Sequence, residues 1–333
     1  MRLGLFLAIV LATAVGCTPQ RQYKTIDGAM LGTTFHIVAQ TDAASSEIYD
    51  EVMRIDAEAK ASMSIFDSSS LLSRINAGET DSLDIHLLRN IAVAARVHDI
   101  SGGAYDITVK PLTDAYGFAA KHKTQSPNID SLVEMVGFEK MRIVGNRIVK
   151  SDSRLQLDLN SLAKGYTVDL VADMLERRGV ENYIVEIGGE IRARGINSVG
   201  TAWRIGVDTP FDGNDTPGAH RQHIVRLDRK ALATSGNYRR YYINERGEKI
   251  VHTINPQTGR TVASRLLSAT VIAPRCVEAD ALATMFMAMG AERAIETAQK
   301  MDGEIEVYFI LAADKVADGE AEQYEIFSTL CEQ

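Results

Sequence analysis

The sequence is short of the devices that most phosphate- and metal-handling proteins advertise. Only three cysteines occur in 333 residues, Cys17, Cys276 and Cys331, and none stands in a CxxC or Cys/His ligand spacing, which speaks against a structural zinc site. No GxGxxG follows a strand pattern, so a Rossmann dinucleotide site is unsupported, and no Walker loop is present. Positive charge is also scarce. With 36 Lys and Arg against 44 Asp and Glu, the formal net charge is −8, which argues against a nucleic-acid groove. Any phosphate chemistry must therefore rest on a local device. There is no internal repeat, low-complexity tract or clear interdomain linker, and the 45% apolar, 24% charged balance is that of an ordinary globular chain. The length suits one large domain or two intimately packed lobes.

What is present begins at the N-terminus. Arg2, the apolar run from Leu3 to Ala12 and the small residues ending at Gly16-Cys17 make an export signal, with a run too short to span a bilayer comfortably. Ala14-Val15-Gly16-Cys17 is similar to a lipoprotein signal, in which the cysteine becomes the first mature residue and carries the lipid; simple secretion with Cys17 discarded is the alternative. Residues 1–16 are thus expected to be a signal peptide, and 17–24 a lipidated tether that anchors the exported protein to a bacterial membrane, facing the periplasm. Cys276 and Cys331 then remain, free to pair or to stay as thiols.

Alternation in Thr33 to Ala39 predicts a strand, followed by a helix over 46–61, where Ile48, Val52, Ile55 and Ala59 recur at helical spacing. Leu88, Ile91, Ala92 and Ala95 mark a second helix ending before Ser101-Gly102-Gly103, and Gly145-Asn146 turns a tight hairpin between 141–144 and 147–149. A third helix runs from about Leu162 to Gly179. Strands are predicted at 183–187, 203–207, 224–227, 268–272 and 305–311, with a hairpin through Glu245-Arg246-Gly247 and helices at 277–289 and 291–301. Hairpins outnumber βαβ units, so the expected class is α+β with mainly antiparallel sheets and packed helices.

A few residues carry possible chemistry. Asp280 and Thr284, four apart on one predicted helix, present two oxygens on one face. That suits a hard cation such as Mg²⁺, which takes one or two carboxylates plus substrate phosphates and water; Asp280 as a dipole-favoured residue near a helix start is the structural alternative. His252, beside the turn Asn255-Pro256-Gln257-Thr258-Gly259-Arg260, can serve as a base near neutral pH or be an ordinary surface histidine. Lys164 can meet a phosphate at a helix start or be solvated. The glycine pairs in Ser101 to Asp106 and Glu186 to Glu190 either admit a ligand to the backbone or make turns.

In order and wording, these segments resemble the ApbE family, the FAD:protein FMN transferases, over nearly the whole chain after the signal. The matching stretches are Leu31 to Phe35, Ser68 to Asn76, Ser101 to Leu112, Asp158 to Asp169, Tyr183 to Gly195, Ala233 to Tyr238, His252 to Gly259 and Ala273 to Gly290. Leu31 stands where the family usually has Met, Asp158-Leu159-Asn160-Ser161 replaces a Gly-Gly turn, and Asn255 replaces an Asp. The resemblance implies an ApbE-like domain over 25–333. It implies a Mg²⁺ site made by the Asp280 and Thr284 side chains with the Ala163 carbonyl. It also implies FAD contacts at Met30, Leu31, Phe66, Ala104, Tyr105, Asp106, Asn160, Ser161, Lys164, Tyr166 and His252, with His252 as the base for an incoming hydroxyl.

The implied reaction uses Mg²⁺ to split FAD and attach FMN to a Thr or Ser hydroxyl of a partner protein, releasing AMP. The implied acceptors are flavin-carrying subunits of membrane electron-transfer complexes of the Na⁺-pumping NADH:quinone oxidoreductase and Rnf kinds. Two rival readings share the same residues: a Mg²⁺-dependent FAD pyrophosphatase, and a non-catalytic FAD-binding lipoprotein.

Overall fold

A computed structural model describes residues 22–118, 128–210, 221–237, 241–262, 264–301, 303–313 and 324–330. The expected signal peptide, Cys17, most of the tether, Tyr238 and Cys331 lie outside the described residues. In chain order come β1 (Tyr23–Met30), β2 (Thr33–Gln40), α1 (Ser45–Met63), α2 (Leu71–Asn76), α3 (Ile85–Ser101), α4 (Lys110–Ala115) and α5 (Ile129–Val133). Next are β3 (Met141–Val144), β4 (Arg147–Lys150), α6 (Ala163–Arg177), β5 (Tyr183–Ile187), β6 (Glu190–Arg194), β7 (Trp203–Asp208), β8 (Arg221–Leu227) and β9 (Lys230–Gly236). The chain continues through β10 (Tyr241–Ile243), β11 (Lys249–Val251), β12 (Leu266–Ala273), α7 (Cys276–Met289), α8 (Ala291–Lys300), β13 (Glu306–Ala312) and β14 (Tyr324–Ser328).

The α+β expectation holds. One eight-stranded sheet in the order β1-β2-β5-β6-β9-β12-β13-β14 carries the fold, and every pairing in it is antiparallel. Strand β1 begins at Tyr23, within the last residues of the stretch expected as a tether. Tyr23 and Lys24 already pair with Gln40 and Ala39, because the polar-looking start of β1 is an edge strand with one face against α1.

The period of two in the strands separates two cores. Along β13, Val307, Phe309 and Leu311 face the helices, whereas Tyr308 and Ile310 face the β7–β8 hairpin with Trp203, Ile205 and Leu227. On the helical side, α6 and α7 lie together over the centre of the sheet. Helix α7 is buried on nearly its whole circumference, which its Ala-rich sequence permits by letting neighbours approach closely. The tightest such approach is at Gly165. A Cβ there would fall 2.4 Å from the Cys276 carbonyl oxygen and 2.8 Å from Asp280 Cβ, so only glycine lets α6 meet α7 at this depth. Cys276 itself is a buried free thiol in this contact.

Candidate active site

The α6–α7 contact forms one wall of a cavity of about 340 Å³, within the size range of small-molecule sites. Asp280 and Thr284 lie on the second and third turns of α7 and both line it. Asp280 is 5% exposed; its Oδ2 accepts a hydrogen bond from Gly165 N at 2.9 Å, and Oδ1 accepts none among the described residues. Thr284 Oγ1 lies 3.2 Å from Ser235 Oγ on β9. Burial, and then the nearby Glu190 carboxylate, hold the Asp280 carboxyl well above the usual carboxylate range. A bound cation would relieve both effects.

Among the described residues no three His, Cys, Asp or Glu converge as a metal cluster, so a cation here has to draw on hydroxyl, carbonyl and phosphate oxygens. The donor set fits Mg²⁺. It offers one carboxylate oxygen held in place through its twin, one hydroxyl a helical turn away, and the Ala163 carbonyl at the start of α6. That carbonyl already accepts from Thr167 Oγ1 at 2.8 Å and, opening α6, from the Thr167 amide, so it would turn to a cation by giving up the hydroxyl; Ala163 itself is not part of the cavity wall.

The cavity is also lined by Ala104, Tyr105, Asp106, Asn160 and Ser161. Tyr105 is buried and its hydroxyl is 2.8 Å from Ser161 Oγ, while burial pushes its ionisation upward, so it acts only as a neutral hydrogen-bonding group. Asp106 folds its own loop, accepting from Thr108 N at 2.8 Å and Phe138 N at 2.9 Å. Asp158 accepts from Asn160 N at 2.9 Å and Thr113 Oγ1 at 3.1 Å, which shapes the Asn160-Ser161 turn in place of a glycine pair.

His252 follows β11 and reaches the same cavity, with the Phe118 ring edge-on at 6.2 Å between centroids. Its neighbour Thr253 is tied to Asn237 Oδ1 at 2.7 Å, and the turn beyond is closed by Gly259 N to Asn255 O at 2.8 Å and by Tyr116 Oη to Gly259 O at 3.1 Å. Lys164, in the first turn of α6, pairs at 2.5 Å with Glu190 at the start of β6.

Four expected flavin contacts are not in the cavity wall. Met30 is 1% exposed and packs under the sheet, where its apolar side chain is worth more than at a polar ligand surface. Leu31 sits in the β1–β2 turn at φ 50°, its N–H held by Asp56 Oδ1 at 2.9 Å. Phe66 is 65% exposed in the loop after α1. Tyr166 turns inward, and its hydroxyl meets His86 Nδ1 at 3.0 Å. Conversely, Glu190, Asp158, Thr113 and Ser235 line the cavity without having been singled out. Glu190 ends the quoted Glu186 to Glu190 cluster, and an acid opening a strand buried along most of its length was the available signal.

The sequence profile of the ApbE family matches residues 31–309. This chain belongs to the ApbE family. It is similar to the FAD:protein FMN transferase of Vibrio cholerae, at 35% identity over 94% of this chain and 95% of the relative, and to that of Haemophilus influenzae, at 32% identity over 93% of each. Among solved structures it resembles the flavin transferase ApbE from Vibrio cholerae (TM-score 0.79, 32% identity, 92% and 97% of the two chains). The apo flavinyl transferase ApbE of Pseudomonas stutzeri is similar too (TM-score 0.80, 30% identity, 92% and 95%). These ApbE chains have the same mixed fold with mainly antiparallel sheets.

Proposed function

We propose that this protein transfers the FMN moiety of FAD to a Thr or Ser hydroxyl of an acceptor protein. The observation that carries the proposal is the convergence of Asp280, Thr284, Lys164 and His252 on one cavity in a chain that matches FAD:protein FMN transferases along nearly its full length. Asp280 Oδ1, Thr284 Oγ1 and the Ala163 carbonyl are the residues that would hold Mg²⁺, which when bound supplies charge neutralisation at the pyrophosphate.

The remaining work falls to the chain itself. Lys164 and the backbone at the start of α6 offer positive potential to the phosphates. Tyr105, Ser161 and Asn160 present hydrogen-bonding groups in the same cavity. His252 accepts the proton of the acceptor hydroxyl as its oxygen bonds to the FMN phosphorus. The bond from that phosphorus to the bridging oxygen breaks, and AMP leaves with the bridging oxygen and its electron pair. Acceptors of the membrane electron-transfer kind, NADH:quinone oxidoreductase and Rnf subunits, fit an enzyme tethered through a lipid on Cys17.

Incubation of the purified protein with FAD, Mg²⁺ and such a subunit tests this: flavin fluorescence should migrate covalently with the acceptor under denaturing conditions. Free FMN and AMP without labelled acceptor would instead favour hydrolysis, and intact FAD would favour simple binding. His252→Ala should retain FAD binding and lose transfer by about 10²-fold or more, the usual range for a general base; unchanged transfer would reject that role. Cys17→Ser expressed in a bacterial host should release the protein from the membrane fraction, and unchanged membrane association would reject the anchor.

A further inference from the structure

Glu190 is 3% exposed, lines the cavity and belongs to none of the groups assigned above to cation, flavin or proton transfer. Its Oε1 accepts from Lys164 Nζ at 2.5 Å, while Oε2 is buried without a hydrogen-bond partner. An orphan carboxylate oxygen in a buried wall is costly unless it serves a purpose. Lys164, Glu190 and Asp280 line the same cavity, and the Asp280 charge acts on Lys164 as well as that of Glu190. One ammonium cannot neutralise both carboxylates.

We propose that Glu190 is a positioning residue that holds the Lys164 ammonium away from Asp280 and so keeps the Asp280 carboxylate open to a divalent cation. The proposal rests on the cation reading of Asp280 given above. Lysine is a compact point charge on a flexible stem and goes to whichever carboxylate offers the better acceptor. Asp280 has one oxygen fixed by Gly165 N, so its remaining oxygen is the natural target for a cation or, in competition, for Lys164. Glu190 has both oxygens available to Lys164. If the ammonium rotates off Oε1, Oε2 receives it on the same carboxylate. The pair therefore keeps a positive charge beside the phosphate-binding space while removing it as a competitor for the metal oxygen.

Calorimetric titration of MgCl₂ into the flavin-free protein tests this with four chains: wild type, Glu190→Gln, Lys164→Met and the double variant. Glu190→Gln should weaken Mg²⁺ binding by about 10- to 100-fold, the range seen when groups that orient metal ligands are changed. Lys164→Met should bind at least as tightly as wild type, and the double variant should return to within about threefold of wild type, because the competitor is gone. Wild-type affinity in Glu190→Gln would overturn the proposal. So would a double variant as weak as the single one, which would make Glu190 a ligand in its own right. If Glu190→Gln alone does not fold, the double variant decides: near-wild-type affinity supports the proposal and a tenfold loss refutes it. Failure of the wild type to bind Mg²⁺, or undiminished binding by Asp280→Ala, would instead remove the cation reading on which the proposal stands.

Discussion

Asp169 and Asp280 sit on the facing helices α6 and α7, and both carboxylates are buried, yet their surroundings satisfy them in opposite ways. Asp169, fully buried, accepts from the amides of Cys276 at 3.1 Å and Val277 at 3.0 Å, and from Arg192 Nη1 at 3.0 Å. Arg275 Nε lies 3.4 Å away, and the same two arginines also bind Asp173. A side chain of one helix thus caps the free N–H groups of the next, with guanidinium groups balancing the charge. Asp280, by contrast, receives one amide and faces a second carboxylate. The difference separates an acid with its partners built in from one that keeps an oxygen back, as the proposed cation ligand requires. Asp169 fixes how α7 lies on α6, and that placement aims Asp280 and Thr284 into the cavity.

Replacing each acid should break a different property. Asp280→Ala is expected to cut metal-dependent FAD turnover by at least about 10³-fold, several kcal/mol of transition-state stabilisation, while the chain still folds. Steady-state assays with and without added Mg²⁺ measure it, and normal turnover would refute the metal role. Asp169→Ala should cost about 3–5 kcal/mol of stability, since it strands Arg192 and the α7 amides. Denaturant unfolding reads that loss, and an unshifted midpoint would mean that the cap does not hold the two helices together. Gly165→Ala probes the contact between the two acids. It should cost about 1–3 kcal/mol, because the added methyl meets a backbone carbonyl that cannot step aside, and it should weaken Mg²⁺ binding by displacing Asp280. Wild-type stability in that variant would show that the helices can separate without cost.

Much of this was legible beforehand because it is local. The i, i+4 spacing of Asp280 and Thr284 placed both oxygens on one face, and α7 bears it out. The helix starting near Leu162 and the Gly145-Asn146 hairpin were set by periodicity and turn chemistry, and both are observed. The second half of the cavity wall was not legible. Thr113, Asp158, Ser235 and Glu190 come from four separate segments whose local patterns are those of an ordinary short helix, turn or strand. Phe66 and Tyr166 show the converse. Each is an aromatic residue in a stretch matching the family, yet one faces solvent and the other hydrogen-bonds His86.

The sequence by itself determined the longer helices and many of the strands, their antiparallel character and the oxygen pair on α7, because helical and strand periods and turn residues act over a few positions. Only the tertiary structure decided which charges compensate one another. Pairing Lys164 with Glu190 and Asp169 with Arg192 and Arg275, and leaving an oxygen of Asp280 uncommitted, depends on how α6, α7 and the centre of the sheet pack. Electrostatic interaction follows distance and burial in space, and separation along the chain carries neither.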